Sequence, residues 1–208
     1  PRRPSEATTR TRKSAGAAAG SRLLFPDDVL RSPESGARYQ IANMIGAGGF
    51  GQVYLARRLG SSSTIPQTVC LKISPSIDGW LREAYFGQLL DGHPRAIRLF
   101  DRFVRMQPEE RPLYCLVLEY AKHGDLSAYL RRTGKGWREV TARREIAGIL
   151  EVLGKLHRGQ LLHRDLTPMN VFVCEGARLK LGDFGIVRAV SDRMRGVAAA
   201  YGKPLEDD

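Results

Sequence analysis

Residues 161–187, LLHRDLTPMNVFVCEGARLKLGDFGIV, carry the pattern that decides the fold. Two short apolar runs, residues 171–174 and 179–181, are separated by Glu-Gly-Ala at residues 175–177. Short apolar runs around a glycine-containing turn predict two antiparallel strands joined as a hairpin. Such a hairpin brings the residues before its first strand and after its second strand to one rim.

Three polar side chains flank these runs: Asp165, Asn170 and Asp183. Carboxylate and amide oxygens are the ligands that a hard cation such as Mg²⁺ prefers. A carboxylate beside the cation can also accept a proton. The rim is therefore expected to hold magnesium and a general base.

The motifs His-Arg-Asp at residues 163–165, Asn170, and Asp-Phe-Gly at residues 183–185 resemble the catalytic core of protein kinases. The resemblance implies an α+β fold of two lobes, an antiparallel sheet with one helix followed by a mainly helical lobe. It also implies transfer of the γ-phosphoryl of Mg-ATP to a Ser/Thr hydroxyl of a protein. Asp165 would accept the hydroxyl proton, Asn170 and Asp183 would bind magnesium, and the histidine would be a packed scaffold residue.

A glycine-rich segment, Gly-Ala-Gly-Gly-Phe-Gly, occupies residues 46–51. Alone it is a weak signal, because a similar pattern opens the helix of dinucleotide-binding folds. Residues 52–56 are β-like here, which favours a loop between two antiparallel strands, as in protein kinases. Its backbone amides would then approach the nucleotide phosphates.

Lys72 ends an apolar strand, where a lysine ordinarily keeps its ammonium in water. However, Val-Cys-Leu-Lys stands where protein kinases have Val-Ala-Ile-Lys. The resemblance implies that Lys72 binds the α- and β-phosphates and pairs with Glu83 on a helix expected at residues 80–90. Cys70, in place of the usual alanine, is expected to face the adenine.

Residues 119–123 resemble the hinge between the two lobes of protein kinases. Asp125 follows the hinge and is expected to cap a helix at residues 126–132, to contact the ribose, or both. Further on, apolar residues that recur every three or four positions predict a buried helix within residues 137–158, which would support the catalytic loop. The positions expected to be buried are Val140, Ile146, Ile149, Leu150, Leu153 and Leu156.

The resemblance as a whole implies two sets of site residues. The catalytic set is Asp165, Lys72, Glu83 and Asn170. In the nucleotide-binding set, Leu118 would be the gatekeeper, Glu119 and Ala121 would lie at the adenine edge, and Phe172 would form the floor. The full set is Ile45, Gly46, Ala47, Gly48, Gly49, Phe50, Gly51, Val53, Cys70, Lys72, Leu118, Glu119, Ala121, Asp125, Phe172 and Asp183.

The formal charge of the 208 residues is +11, and residues 1–22 supply +5 of it, since they hold six Arg or Lys and only one acid. The composition of residues 1–37 predicts a basic disordered tail and a linker, so that order begins near Arg38. The lobes are then expected at residues 38–118 and 124–208. Nucleic-acid binding is an alternative, but the concentration of charge in the tail and the lack of an aromatic-basic platform weigh against it.

Three other features of the sequence bear on its compartment. It has no apolar run long enough to span a bilayer, and no apolar segment follows the basic N-terminus, as it would in a signal peptide. The three cysteines lie in apolar runs and are expected to be reduced core thiols. A cytoplasmic protein without a membrane partner is the default expectation; the sequence specifies neither the protein substrate nor the oligomeric state.

Three departures from the kinase pattern qualify the resemblance. Thr167 stands where serine/threonine kinases usually have lysine. Arg164 beside Asp165 implies an activation segment ordered by a phosphate. Ser191 and Tyr201 are the only hydroxyl residues after Ile186, so the switch could be either of them or neither. No Ala-Pro-Glu follows the Asp-Phe-Gly motif before Asp208, so we expect a truncated catalytic domain that is poorly active alone.

Two alternatives within the same fold stay open. One is a phosphotransferase that acts on a small molecule, although the glycine loop and helix motifs match protein kinases better. The other is a pseudokinase module that binds nucleotide and partners. Retention of Lys72, Asp165, Asn170 and Asp183 argues against the latter.

Overall fold

A computed structural model describes residues 22–61, 64–107, 111–134 and 136–190. Its strands are β1 (Val29–Arg31), β2 (Arg38–Gly48), β3 (Gly51–Leu59), β4 (Thr68–Ser74), β5 (Leu99–Arg105), β6 (Leu113–Glu119), β7 (Leu161–Leu162), β8 (Val171–Val173), β9 (Leu179–Leu181) and β10 (Arg188–Ala189). Its helices are α1 (Ile77–Leu89), α2 (Leu126–Thr133) and α3 (Glu139–Arg158), with a 3-10 turn at Glu175–Ala177. Among the described residues, no helix is both long and apolar enough to cross a membrane.

The first lobe is one antiparallel sheet of six strands in the order β1-β2-β3-β4-β6-β5. Successive side chains of a strand point to opposite faces, so neighbours such as Val53 and Tyr54 on β3 lie on different faces of the sheet. Tyr54 is fully buried in an apolar cluster with Ile41, Leu71 and Val117. The sheet therefore has its own core on one face and leaves the other face for a site.

The ordered fold begins earlier than Arg38, so this expectation was wrong. β1 pairs antiparallel with β2, and Leu30 stands opposite Tyr39. Leu24 and Leu30 are 1% and 0% exposed and belong to the sheet's core. Their apolar side chains supply the burial that the polar composition of residues 1–37 concealed; residues 1–21 lie outside the described part of the chain.

Helix α1 lies against the sheet and begins three residues before the expected start at Trp80. Ser76 is its N-cap, because its hydroxyl oxygen accepts a hydrogen bond from the Gly79 N–H at 3.2 Å. The indole N–H of Trp80 donates to the Cys115 carbonyl at 2.9 Å and so fastens α1 to β6. These contacts set the rotation of the helix.

The second lobe is built on α3 and the predicted hairpin, which the structure confirms. β8 and β9 pair antiparallel, with Val171 opposite Leu181 and Val173 opposite Leu179. A buried apolar cluster joins the hairpin to the side chains of Ile149, Val152, Leu153 and Leu156 on α3. A curled sheet lobe with one helix, followed by a more helical lobe, confirms the expected α+β fold class.

The buried face of α3 was predicted only in part. Ile149, Leu153 and Leu156 are buried as expected, but three apolar side chains are exposed: Val140 at 80%, Ile146 at 54% and Leu150 at 59%. Glu145 and Gly148 occupy the buried stripe instead. The helix is turned so that the Glu145 carboxylate meets donors inside the fold, which the spacing of apolar residues alone could not indicate.

Candidate active site

A cavity of about 540 Å³ separates the sheet from the β8–β9 hairpin. Its lining includes every expected nucleotide-binding residue except Gly49. Glu83 also lines it, whereas the expected catalytic residues Asp165 and Asn170 lie outside the lining. The structure thus brings the two halves of the predicted site to one place, with the catalytic loop beside the cavity.

Part of the cavity lining is apolar. The strands present Val53 and Cys70 from the sheet, Leu118 from β6 and Phe172 from β8. Cys70 and Leu118 are opposite one another in the β4–β6 register. Burial raises the pKa of the Cys70 thiol to about 12, so it remains neutral and behaves as a small apolar group. These apolar side chains suit a flat aromatic ring.

The glycine-rich loop is the tip of the β2–β3 hairpin, where Gly48 stands opposite Gly51. Gly51 has φ +110°, and a Cβ added there would lie 2.0 Å from the Ile73 carbonyl oxygen. Gly48 and Gly49 have nothing within 4 Å of such a Cβ, so their backbone is open to a ligand. This combination of a tight base and an open tip fits close approach of phosphate oxygens.

Lys72, Glu83 and Asp183 form an ion cluster in the lining of the same cavity. The Lys72 ammonium lies 2.7 Å from Glu83 Oε2 and 3.2 Å from Asp183 Oδ1. Burial alone would lower the pKa of Lys72, but the two carboxylates outweigh it and raise that pKa. Burial raises the pKa of Glu83, and the Lys72 ammonium opposes that rise. The contact between Nζ and Oε2 favours the ionised pair.

The catalytic loop is held by Asn170. Its Nδ2 donates to the Asp165 carbonyl at 2.9 Å and to Asp165 Oδ2 at 2.6 Å. The Gly182 N–H donates to the Asn170 carbonyl at 3.0 Å, which ties the loop to the residue preceding Asp183. Asp183 itself has φ +57°, a conformation that aspartate tolerates better than most residues.

These polar groups could hold magnesium only together with a ligand. Among the described residues, three or more His, Cys, Asp or Glu side chains nowhere form a cluster able to hold a metal by themselves. Magnesium is commonly bound by one or two carboxylates, several waters and substrate phosphates. Asp183 and the amide oxygen of Asn170 fit that kind of site, because the amide nitrogen is already used by Asp165.

His163 is packed rather than reactive, as expected. It is 3% exposed, its Nε2 lies 3.1 Å from the Gly182 carbonyl, and its ring makes an edge contact with Phe184 at 5.4 Å. Burial lowers the pKa of His163, although the Gly182 carbonyl and nearby carboxylates oppose this. The neutral ring therefore donates from Nε2 to the carbonyl and acts as a spacer between the two motifs.

Two supporting ion pairs were missed by the sequence reasoning. Glu145 of α3 accepts hydrogen bonds from Arg95 and from the Leu179 N–H of β9, the latter at 3.0 Å. Lys180 of β9 lies 2.7 Å from both carboxylate oxygens of Glu119 in the hinge. The predicted buried stripe of α3 did not include Glu145, so the sequence pattern held no signal for this ion pair.

Thr167, which replaces the usual lysine, is exposed on the catalytic loop. Its carbonyl accepts a hydrogen bond from the Asn170 N–H at 3.0 Å, so its backbone helps to shape the loop. Asp125 is the N-cap of α2, since its Oδ1 accepts from the Ala128 N–H at 2.8 Å, and it also lines the cavity. Ser191 and Tyr201 lie outside the described residues.

Comparison with known proteins supports the same family. A family model described as protein kinase domain matches residues 39–202. The chain is 32% identical to serine/threonine-protein kinase 36 of Pongo abelii over 81% of this chain and 12% of that protein. It is 31% identical to Aurora/IPL1-related protein kinase 2 of Caenorhabditis elegans (76% of this chain, 52% of that protein). It is 30% identical to serine/threonine-protein kinase PrkC of Bacillus subtilis (strain 168) over 74% of this chain and 23% of that protein.

The chain therefore spans 12% to 52% of the length of these three relatives. The matched region includes the glycine-rich loop, the ion cluster and the catalytic loop. Together with the fold and the geometry of the cavity, this match shows that the chain belongs to the protein kinase family.

Proposed function

We propose that this chain transfers the γ-phosphoryl group of Mg-ATP to a serine or threonine hydroxyl of a protein. The observation that carries the proposal is the Lys72–Glu83–Asp183 cluster in a cavity that also has apolar lining residues. A cavity of about 540 Å³ is within the range of small-molecule and cofactor sites. The serine/threonine acceptor is suggested by the names of the relatives.

Bound Mg-ATP would supply the reactive phosphorus and the metal charge that neutralises the phosphate oxygens. The chain's own contribution is positioning. The Lys72 ammonium, held at 2.7 Å by Glu83, presents a fixed positive charge toward the phosphates. Asp183 and the Asn170 amide oxygen would hold the metal, and the open backbone at Gly48 would approach the phosphates from above.

The apolar part of the cavity lining would hold the adenine ring. Val53 and Cys70 would cover the ring from the sheet side, and Phe172 would lie beneath it. Backbone groups of Glu119 and Ala121 are the proposed partners of its polar edge. A ring held against these side chains would exclude water, which would strengthen the electrostatic interactions with the phosphates.

Asp165 is the proposed base. Its carboxylate would accept the proton of the substrate hydroxyl as that oxygen bonds to phosphorus. The Asn170 Nδ2 donor at 2.6 Å fixes one carboxylate oxygen, so the other is left to face the hydroxyl. A fixed carboxylate loses little orientational freedom on reaching the transition state.

The proposal can be tested by measuring transfer of labelled phosphate from Mg-ATP to a protein substrate by the full-length protein. Asp165→Asn should lower the rate by about 10²- to 10⁴-fold, the usual contribution of a general base. Its affinity for Mg-ATP, measured by calorimetry, should stay within about twofold of the wild-type value. The matched control is Asp91→Asn, an exposed carboxylate on the first lobe, which should retain the wild-type rate. An unchanged rate in Asp165→Asn would show that Asp165 is not the base.

A further inference from the structure

Residues 22–37, which we term the N-terminal brace, precede the region that matches the family model and form a strand added to the edge of its sheet. The brace covers the sheet face that points away from the cavity. On β3 and β4, Val53 and Cys70 line the cavity, whereas their neighbours Tyr54 and Leu71 are in the core cluster with Leu24. Because alternate residues point to opposite faces, the brace and the cavity lie on opposite sides of the same strands.

The start of the brace is fastened to β3 directly beside the glycine-rich loop. The Leu23 N–H donates to Gln52 Oε1 at 3.0 Å, and the Leu24 N–H donates to the Tyr54 hydroxyl at 3.1 Å. The Tyr54 hydroxyl in turn donates to Gln52 Oε1. Gln52 follows Gly51, the last residue of the loop, so this network ends at the base of the loop.

The next part of the brace is fastened to β2, the other arm of the same hairpin. The Asp27 N–H donates to the Ile41 carbonyl and the Ile41 N–H donates to the Asp28 carbonyl, both at 2.8 Å. The β2–β3 register is irregular immediately after Ile41, between Ile41 and Asn43. A strand with a bulge gains a second set of backbone partners at the point where its pairing with β3 is interrupted.

We propose that the N-terminal brace positions the glycine-rich loop for the nucleotide phosphates, acting through Gln52 and Tyr54. Side chains at Gly48 and Gly49 would meet nothing within 4 Å, so the tip of the loop has no packing of its own there. The position of the tip therefore depends on β2 and β3, and the brace contacts both strands on the side opposite the cavity. Gln52 and Tyr54 are positioning residues, since neither lines the cavity; the inference rests on the proposed use of that cavity for Mg-ATP.

The test uses Tyr54→Phe, which keeps the buried ring and removes only the hydroxyl that joins Leu24 to Gln52. Gln52→Met is the second variant and removes the acceptor for the Leu23 N–H. For both we expect the KM for Mg-ATP to rise about fivefold, the scale of coupling through a contact network. The value of kcat should change by less than about twofold, because ground-state binding is affected more than the chemical step. Amide hydrogen exchange at residues 46–51 should be faster in both variants, without nucleotide.

Ser35→Ala is the matched control. Ser35 fastens the far end of the brace to β5 rather than to β3, since its hydroxyl donates to Asp101 Oδ2 at 2.6 Å. This variant should lower the melting temperature and leave both the KM for Mg-ATP and the exchange of the loop unchanged.

Two outcomes would overturn the inference. One is an unchanged KM and unchanged exchange at residues 46–51 in both Tyr54→Phe and Gln52→Met. The other is an equal rise in KM for Ser35→Ala, which would attribute the effect to lost stability. If the wild-type protein did not bind Mg-ATP, the proposed function would fail, while the exchange experiment would still decide whether the brace positions the loop.

Discussion

The two walls of the cavity are held in place by different means. The sheet wall consists of long strands with an apolar core of their own, and β2 alone has 11 residues. The hairpin wall consists of β8 and β9, with three residues each. Long strand pairing and alternation fix the side chains of the first wall, whereas the second wall, besides its apolar contact with α3, depends on polar side chains from distant parts of the chain.

The polar contacts of the hairpin wall involve three other parts of the chain: α3, the hinge and the catalytic loop. Glu145 of α3 holds the backbone of β9 at Leu179, and Lys180 of β9 holds Glu119 in the hinge. His163 holds the Gly182 carbonyl between β9 and Asp183. Since each contact is made once and not repeated along a strand, removing a single side chain should affect the hairpin wall more than the sheet wall.

The largest effect is expected from Glu145→Ala. The Glu145 side chain is 4% exposed and that of its partner Arg95 is 15% exposed, so the substitution leaves a buried guanidinium without its carboxylate. Loss of one partner of a buried ion pair costs about 3–5 kcal/mol. We expect the free energy of unfolding to fall by that amount, measured by urea denaturation.

Glu139→Ala is the control on the same helix. The Glu139–Arg143 pair is exposed on both sides, at 75% and 79%, and such pairs contribute less than about 1 kcal/mol. A similar loss for Glu139→Ala and Glu145→Ala would contradict the assignment of Glu145 as the support of the hairpin wall.

On the glycine-rich loop of the sheet wall, a substitution should be costly where the added side chain would meet backbone. Gly51→Ala places a Cβ 2.0 Å from the Ile73 carbonyl oxygen at a positive φ, and we expect a loss of about 1–3 kcal/mol in stability. Gly48→Ala, three residues away on the same loop, meets nothing within 4 Å and should leave thermal stability nearly unchanged. Equal melting temperatures for the two variants would show that the strands of the sheet wall can shift to relieve the contact.

The same difference between the walls explains what the sequence could predict. The strand-turn-strand of the glycine-rich loop and the β8–β9 hairpin are local patterns, and the structure contains both. The Lys72–Glu83 ion pair followed from a resemblance in which both residues have fixed places. All of these depend on residues close in sequence or on motifs of the family.

The failures concern contacts between residues that are far apart in sequence. Glu145 meets Arg95, 50 positions earlier, on the buried side of α3, and Ile146 and Leu150 are exposed. Leu24 meets Tyr54, 30 positions later, within a segment whose composition resembles a linker. Periodicity and composition describe one element at a time, so they carry no information about which distant partner an element will meet.

The smallest effect is expected from lowering the pH, and the resulting loss of stability should appear first in the hairpin wall. Burial lowers the pKa of His163 in the folded protein, so unfolding takes up a proton when the pH falls below the ordinary histidine value of 6.5. Stability should therefore be fully present above that pH and decline below it, and His163→Gln should show a flatter profile between pH 5 and 7.5. The exposed variant His157→Gln is the control and should keep the wild-type decline. Hydrogen exchange should show the loss at residues 161–185 before residues 38–74, because the imidazole bonds to the Gly182 carbonyl and packs against Phe184. An earlier loss at residues 38–74 would mean that the sheet wall, despite its core, is the less stable of the two.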